Sequence, residues 1–183
     1  ESTLTNTDVF INVWDQVRDA GKYELYDWTA KVDADAVLVP ARLKQHIDAL
    51  RAPPGRAIYI KNNDMDKGLG NNGFLGAVEV FSKTALYVYY DNKEGCRATL
   101  GIQAGEDGFF KGCMDALGVG YMMDAHLFFP DRSAGVCNLQ QRAAYHPLKK
   151  PEDWQCCMDI INGKPHKVEY GTCDLGYTLK IEG

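Results

Sequence analysis

The stretch FLGAVEVFSKTALYVYYDNKEGCRATLGIQ, residues 74–103, decides the fold class. Leu86–Tyr90 (LYVYY) and Ala98–Gln103 are rich in aromatic and β-branched side chains. Between them Asp91-Asn92-Lys93-Glu94-Gly95 carries turn formers. That composition predicts two strands joined as a hairpin. Phe74–Ser82, just before them, fits a helix or a strand by period alone. A hairpin set among helices elsewhere makes the chain α+β, with a mixed or antiparallel sheet and helices packed on one face.

Working outward toward the N-terminus, Thr7 is a candidate helix cap. Val9, Phe10, Val13, Trp14 and Val17 recur at helical spacing up to Gly21. Tyr23–Thr29 (YELYDWT) reads as an aromatic strand. Pro40 suits a first helical position ahead of Leu43, Ile47 and Leu50, and Pro53-Pro54 ends that helix. Ala57–Ile60 is a short strand, and the polar run Lys61–Gly73 is a loop. Toward the C-terminus, a short helix is predicted around Gly108–Leu117, ending at Gly118. A strand follows near Tyr121–Phe129, closed by Pro130. Pro151 opens a helix with Trp154, Cys157, Ile160 and Ile161 on one face and Gly163 beyond it. Lys167–Tyr170 and Gly176–Ile181 are strand-like.

The 183 residues suit a single domain. Its cysteines (Cys96, Cys113, Cys137, Cys156, Cys157 and Cys173) all lie late, so possible lobes are a cysteine-free 1–83 and a disulfide-bonded 84–183. An even number at irregular spacing predicts disulfides and an oxidising, extracellular compartment, and six cysteines allow fifteen pairings. A start at Glu1 without a charged-then-apolar leader fits a signal peptide removed before residue 1. There is no Asn-x-Ser/Thr acceptor, because Asn6-Thr7 is followed by Asp8. Residues 1–95 carry 14 acidic and 11 basic side chains, and residues 96–183 carry 11 and 9. Neither half holds the basic stripe that phosphate neutralisation needs, so nucleic acid is not an expected partner. No run approaches the length of a transmembrane segment.

Several patterns carry potential chemistry. Gly68-Leu69-Gly70-Asn71-Asn72-Gly73 is a literal G-x-G-x-x-G. In a dinucleotide site, strand, glycine turn and helix follow each other directly, so that backbone amides and a helix N-terminus hold the pyrophosphate. Here KNNDMDK separates the strand from the first glycine, and a surface loop is the simpler reading. Asp64, Asp66 and Gly68 hint at Ca²⁺, but the EF-hand pattern fails, since Lys67 stands where its glycine belongs and no Glu closes the loop. No C-x-x-C pair supports zinc, and adjacent Cys156 and Cys157 suit separate disulfides better than one tetrahedral ion. Asp124-Ala125-His126 on a strand would put both ionisable groups on one face as an acid–base pair. Glu24 and Asp27 beside Trp28 raise a sugar-cleaving carboxylate pair without a visible spacing rule. Tyr23, Tyr26, Trp28 and Tyr145 are candidate contact residues for a partner.

Cys157-Met158-Asp159-Ile160-Ile161-Asn162, followed by His166-Lys167-Val168-Glu169-Tyr170-Gly171-Thr172-Cys173, resembles a motif of fungal secreted necrosis-inducing effectors, which are related to killer toxins. The resemblance spans the last thirty or so residues. It implies a helix bearing Cys157, strands flanking Cys173, and a disulfide pinning helix to hairpin. The chain departs from that family at Asp174-Leu175. The resulting expectation is a secreted recognition protein rather than an enzyme, binding a host or competitor protein or glycan, with no cofactor and no metal. The rivals are a secreted hydrolase built on Asp124 and His126, and a nucleotide-binding domain using the loop Gly68–Gly73.

Overall fold

The computed structural model describes residues 6–63, 73–101, 105–129, 137 and 141–163. Helix α1 spans Thr7–Ala20, and its face at Ile11 and Trp14 is buried. Thr7 is the first helical residue and Asn6 sits at the cap, with no side-chain capping bond. Gly21, at φ 66°, ends the helix in the left-handed conformation that glycine adopts freely. Tyr23 lies in a 3₁₀ turn, Lys22–Leu25, not in a strand. Strand β1 begins only at Trp28 and runs to Val32. Then come β2 (Val37–Leu38), α2 (Pro40–Leu50) with proline in its first turn, and β3 (Ile58–Lys61).

Strand β4 is Val78–Ser82 and leads directly into α3, Lys83–Leu100. The hairpin expected from LYVYY and Ala98–Gln103 is therefore a single long helix over its described residues. The reason lies in what precedes and what packs. Ser82 Oγ accepts from the Ala85 backbone N–H at 3.2 Å, a true N-cap. Leu86, Tyr89 and Cys96 then fall at helical spacing on the buried face. Burial against neighbouring elements outweighs the modest strand preference of tyrosine and valine.

The remaining elements are α4 (Glu106–Ala116), β5 (Gly120–Met123), β6 (Phe128–Phe129), β7 (Ala144–Tyr145) and α5 (Pro151–Ile161). The strand expected over 121–129 is divided between β5 and β6, which belong to different sheets. The two strand-like runs after residue 164 lie outside the described residues.

The fold is α+β, with a mixed four-stranded sheet in the order β1-β4-β3-β5 and a smaller sheet β2-β7-β6. β4 is antiparallel to β1 and β3, whereas β3 and β5 run parallel with Ile58 opposite Gly120. Side-chain alternation divides the interior. Tyr59 and Phe81 face Trp14, Tyr89, Phe110 and Met114, from α1, α3 and α4. Ile60, Val78 and Val80 face the other way, toward Leu43 of α2 and Ala144 of the small sheet. A third cluster joins Val37, Tyr145 and Leu148 to Cys157 of α5. Both sheets draw strands from before and after residue 83.

Disulfides join Cys96 to Cys113 and Cys137 to Cys157. The first ties α3 to α4, and the second ties α5 to the segment before β7. Cys156 is also disulfide-bonded, so the adjacent cysteines enter separate bridges. Cys173 lies outside the described residues.

Candidate functional site

The polar loop between β3 and β4 is fastened at its base. Fully buried Asn62 donates to the carbonyls of Leu75 (2.8 Å) and Val78 (2.5 Å) and accepts from the Leu75 N–H at 2.9 Å. Gly73, at φ 90°, hands the chain back to Asn63 through an N–H···O bond of 3.0 Å. Residues 64–72, with Gly68, Gly70 and the aspartates considered for Ca²⁺, lie outside the described residues. After Gly73 the chain enters antiparallel β4, with no helix between Phe74 and Ser82. A dinucleotide fingerprint needs a helix N-terminus at that point, and the described residues hold a strand there instead.

Asp124 and His126 do not share a strand face, because both follow β5 in a turn. Asp124 Oδ1 accepts the backbone N–H of His126 at 2.9 Å, while the His126 side chain is exposed. The imidazole partner of Asp124 is instead His46 on α2, with Nδ1 2.6 Å from Oδ2. His46 Nε2 lies 2.6 Å from the Gln141 carbonyl. Both neighbours are acceptors, so the ring clamps α2 to two loops and has no free nitrogen for a substrate. Sequence reasoning missed this pair because its members are 78 positions apart.

A denser array of charge surrounds β1. Lys31 lies opposite Glu79 in the β1–β4 register, and its ammonium passes 4.3 Å from the Phe10 ring. It donates to the Gly76 carbonyl at 2.7 Å and pairs with Asp33 Oδ1 at 2.6 Å and with Glu106. Burial pulls the lysine pKa down, but the charges of Glu79 and Glu106 win and the net shift is upward. Glu106 sits in the first turn of α4, where the helix dipole favours an anion. Glu79 is wholly buried, and neither of its oxygens has a hydrogen-bond partner among the described residues. Burial raises its pKa well above the ordinary glutamate range. Lys31 opposes this shift and Glu106 adds to it.

The array continues to the surface. Asp33 Oδ2 lies 3.7 Å and Asp35 Oδ1 3.2 Å from His146 Nε2. Asp35 also pairs with Lys149, and its carbonyl accepts from the Leu148 N–H at 2.7 Å. Burial depresses the His146 pKa below the ordinary histidine value despite the two aspartates. Burial pushes the Asp35 pKa upward, but the Lys149 hydrogen bond and the nearby positive charges bring it below the ordinary value.

The aromatic candidates separate sharply. Tyr23 is buried and stacks edge-on to Tyr87 and Tyr90, at 5.7 and 5.4 Å between centroids. Tyr145 is buried in β7, its hydroxyl accepting from Arg42 at 3.0 Å. Core packing claims most of both rings, although Tyr23 still lines the depression that Tyr26 and Trp28 border. The 3₁₀ turn after Gly21 instead projects Leu25 and Tyr26, which are 77% and 63% exposed. Tyr26 and half-buried Trp28 border a shallow depression of about 380 Å³, lined also by Val17, Ala20, Lys22 and Tyr23. Leu25 is the contact candidate that sequence reasoning missed; its signal was an apolar residue beside a helix-ending glycine and a tyrosine. Glu24 and Asp27 are exposed on the same turn.

No family model matches the chain, and no curated protein matches it.

Proposed function

We propose that this is a secreted recognition protein of the fungal effector or killer-toxin-like kind, engaging a host or competitor target through the surface around Leu25, Tyr26 and Trp28. The carrying observation is the pair of large apolar side chains at 77% and 63% exposure beside an apolar depression. Tyrosine and tryptophan are the side chains that most often carry the energy of a contact surface, so Tyr26 and Trp28 are its expected anchors, with Leu25 adding apolar area beside them. The disulfides within the second half support an oxidising destination. No helix of the described residues is long and apolar enough to cross a membrane. The clamped state of His46 favours recognition over a hydrolase centred on Asp124, since that imidazole is already engaged on both nitrogens.

The test applies the oxidised protein to plant cells and to competing fungal cells, with dye uptake and cell death as readouts. A Leu25→Ser/Tyr26→Ser variant is run beside it, with its fold checked by circular dichroism. Loss of the response in the folded variant supports the surface. An equal response from the variant, or no response to the parent on any cell, overturns the proposal.

A further inference from the structure

We infer that Asp33, Asp35 and His146 form a binding site for a divalent first-row transition-metal ion. One nitrogen and two carboxylate oxygens from these residues lie within 4.8 Å of one another. His146 Nε2 is 3.2 Å from Asp35 Oδ1 and 3.7 Å from Asp33 Oδ2. Ligand bonds of about 2.0–2.2 Å place neighbouring donors about 3.0–3.6 Å apart around one ion, so the group closes on a cation with little backbone movement.

The fold builds this convergence from distant segments. Asp33 and Asp35 occupy the turn between β1 and β2, and the Val37–Tyr145 pairing brings His146 alongside. The two lysines hold the outer oxygens: Lys31 takes Asp33 Oδ1 and Lys149 takes Asp35 Oδ2. Each carboxylate therefore turns its other oxygen toward His146 Nε2. This resembles the outer-shell support that orients metal ligands.

A second observation concerns charge. Lys31 and Lys149 serve three carboxylates, those of Asp33, Asp35 and Glu106. Glu79, wholly buried across from Lys31, adds a fourth carboxyl group with no hydrogen-bond partner among the described residues. The array is short of positive charge, and a divalent ion on Asp33 and Asp35 supplies it. An imidazole nitrogen among the donors selects the ion class, since imidazole suits zinc, copper, iron or nickel, whereas calcium and magnesium prefer oxygen alone.

The experiment titrates chelator-treated, oxidised full-length protein with Zn²⁺ by isothermal calorimetry. Asp35→Asn and His146→Gln are titrated in parallel, with His126→Ala as a control and unfolding midpoints to verify each fold. The expected result is one Zn²⁺ per chain, about tenfold or more weaker binding in each site variant, and unchanged binding in the control. Selective broadening of the His146 ring resonances by substoichiometric Cu²⁺, a paramagnetic member of the same ion class, reads the same site without any substitution. Absence of Zn²⁺ binding, equal binding by both folded site variants, Ca²⁺ binding as tight as Zn²⁺, or no broadening at His146 overturns the inference.

Discussion

A carboxyl group that is wholly buried, with no hydrogen-bond partner among the described residues, gives Glu79 a direct part in the pH response. Its folded-state pKa lies well above 4.5 because burial disfavours the anion and Glu106 adds repulsion, with Lys31 only partly compensating. Between the ordinary carboxylate range and that raised value, the folded state keeps a proton that the unfolded chain has released. Stability from this group is therefore complete in acid and falls as pH rises, by at most about 1.4 kcal/mol per pH unit. His146 acts in the opposite sense. Its folded pKa is below 6.5, so its contribution is complete above that value and is lost as pH falls through the depressed one. Glu79→Gln separates the two. In urea unfolding between about pH 5 and pH 8, the variant should gain on the parent progressively as pH rises. A constant difference would show that Glu79 is ionised throughout. His46 belongs to this scale too. His46→Leu removes the imidazole partner of Asp124 Oδ2 and of the Gln141 carbonyl, and should cost about 2 kcal/mol, readable as a lower unfolding midpoint.

At the scale of elements, α3 shows what local sequence conveys and what it hides. Leu86, Tyr89, Lys93 and Cys96 already lie at helical spacing, and Ser82 stands at the cap. The competing signals were Tyr87, Val88 and Tyr90, which favour strands, and Asp91-Asn92 with Gly95, which favour turns. In the structure Gly95 faces solvent, and Lys93 and Arg97 pair with Asp15 and Asp8 of α1. Burial of Leu86, Tyr89 and Cys96 against α1, α4 and the sheet decides the outcome, with these ion pairs adding a little, and no window of local sequence contains those partners. By contrast α1, α2, α4 and α5 were legible, because a proline or glycine marks an end of each and their apolar residues keep one period. Of the candidate surfaces, Tyr26 and Trp28 were legible as residue types, but the burial of Tyr23 and Tyr145 was not, since it depends on rings and a guanidinium far along the chain. Ser82 carries a prediction here. Its hydroxyl accepts from Ala85 and from Ile58 (2.9 Å) and donates to the Arg56 carbonyl (2.9 Å). Ser82→Ala should cost about 2 kcal/mol, measured as a shift in the denaturation midpoint without a change in slope.

For the whole molecule, the late cysteines do not mark off an independent half. The four-stranded sheet needs β5, and β2 pairs with β7, so cross-linked and uncross-linked segments share both sheets. Mild reduction should accordingly weaken the entire fold rather than release a C-terminal piece. Replacing Cys96 and Cys113 together by serine should remove about 3 kcal/mol, with amide exchange accelerating in β3 and β4 as well as in α3 and α4. Acceleration confined to the two helices would contradict this coupling.

The parallel pairing of β3 with β5 also has a temporal consequence. As the chain emerges during synthesis, Ile58 has no partner until Gly120 has followed it, so β3 waits with one edge unpaired while α3 and α4 are made. The Cys96–Cys113 bridge lies wholly within that interval and shortens the loop that must close. Were this one pair to oxidise ahead of β5 docking, it would shorten the time for which an aggregation-prone strand edge stays open.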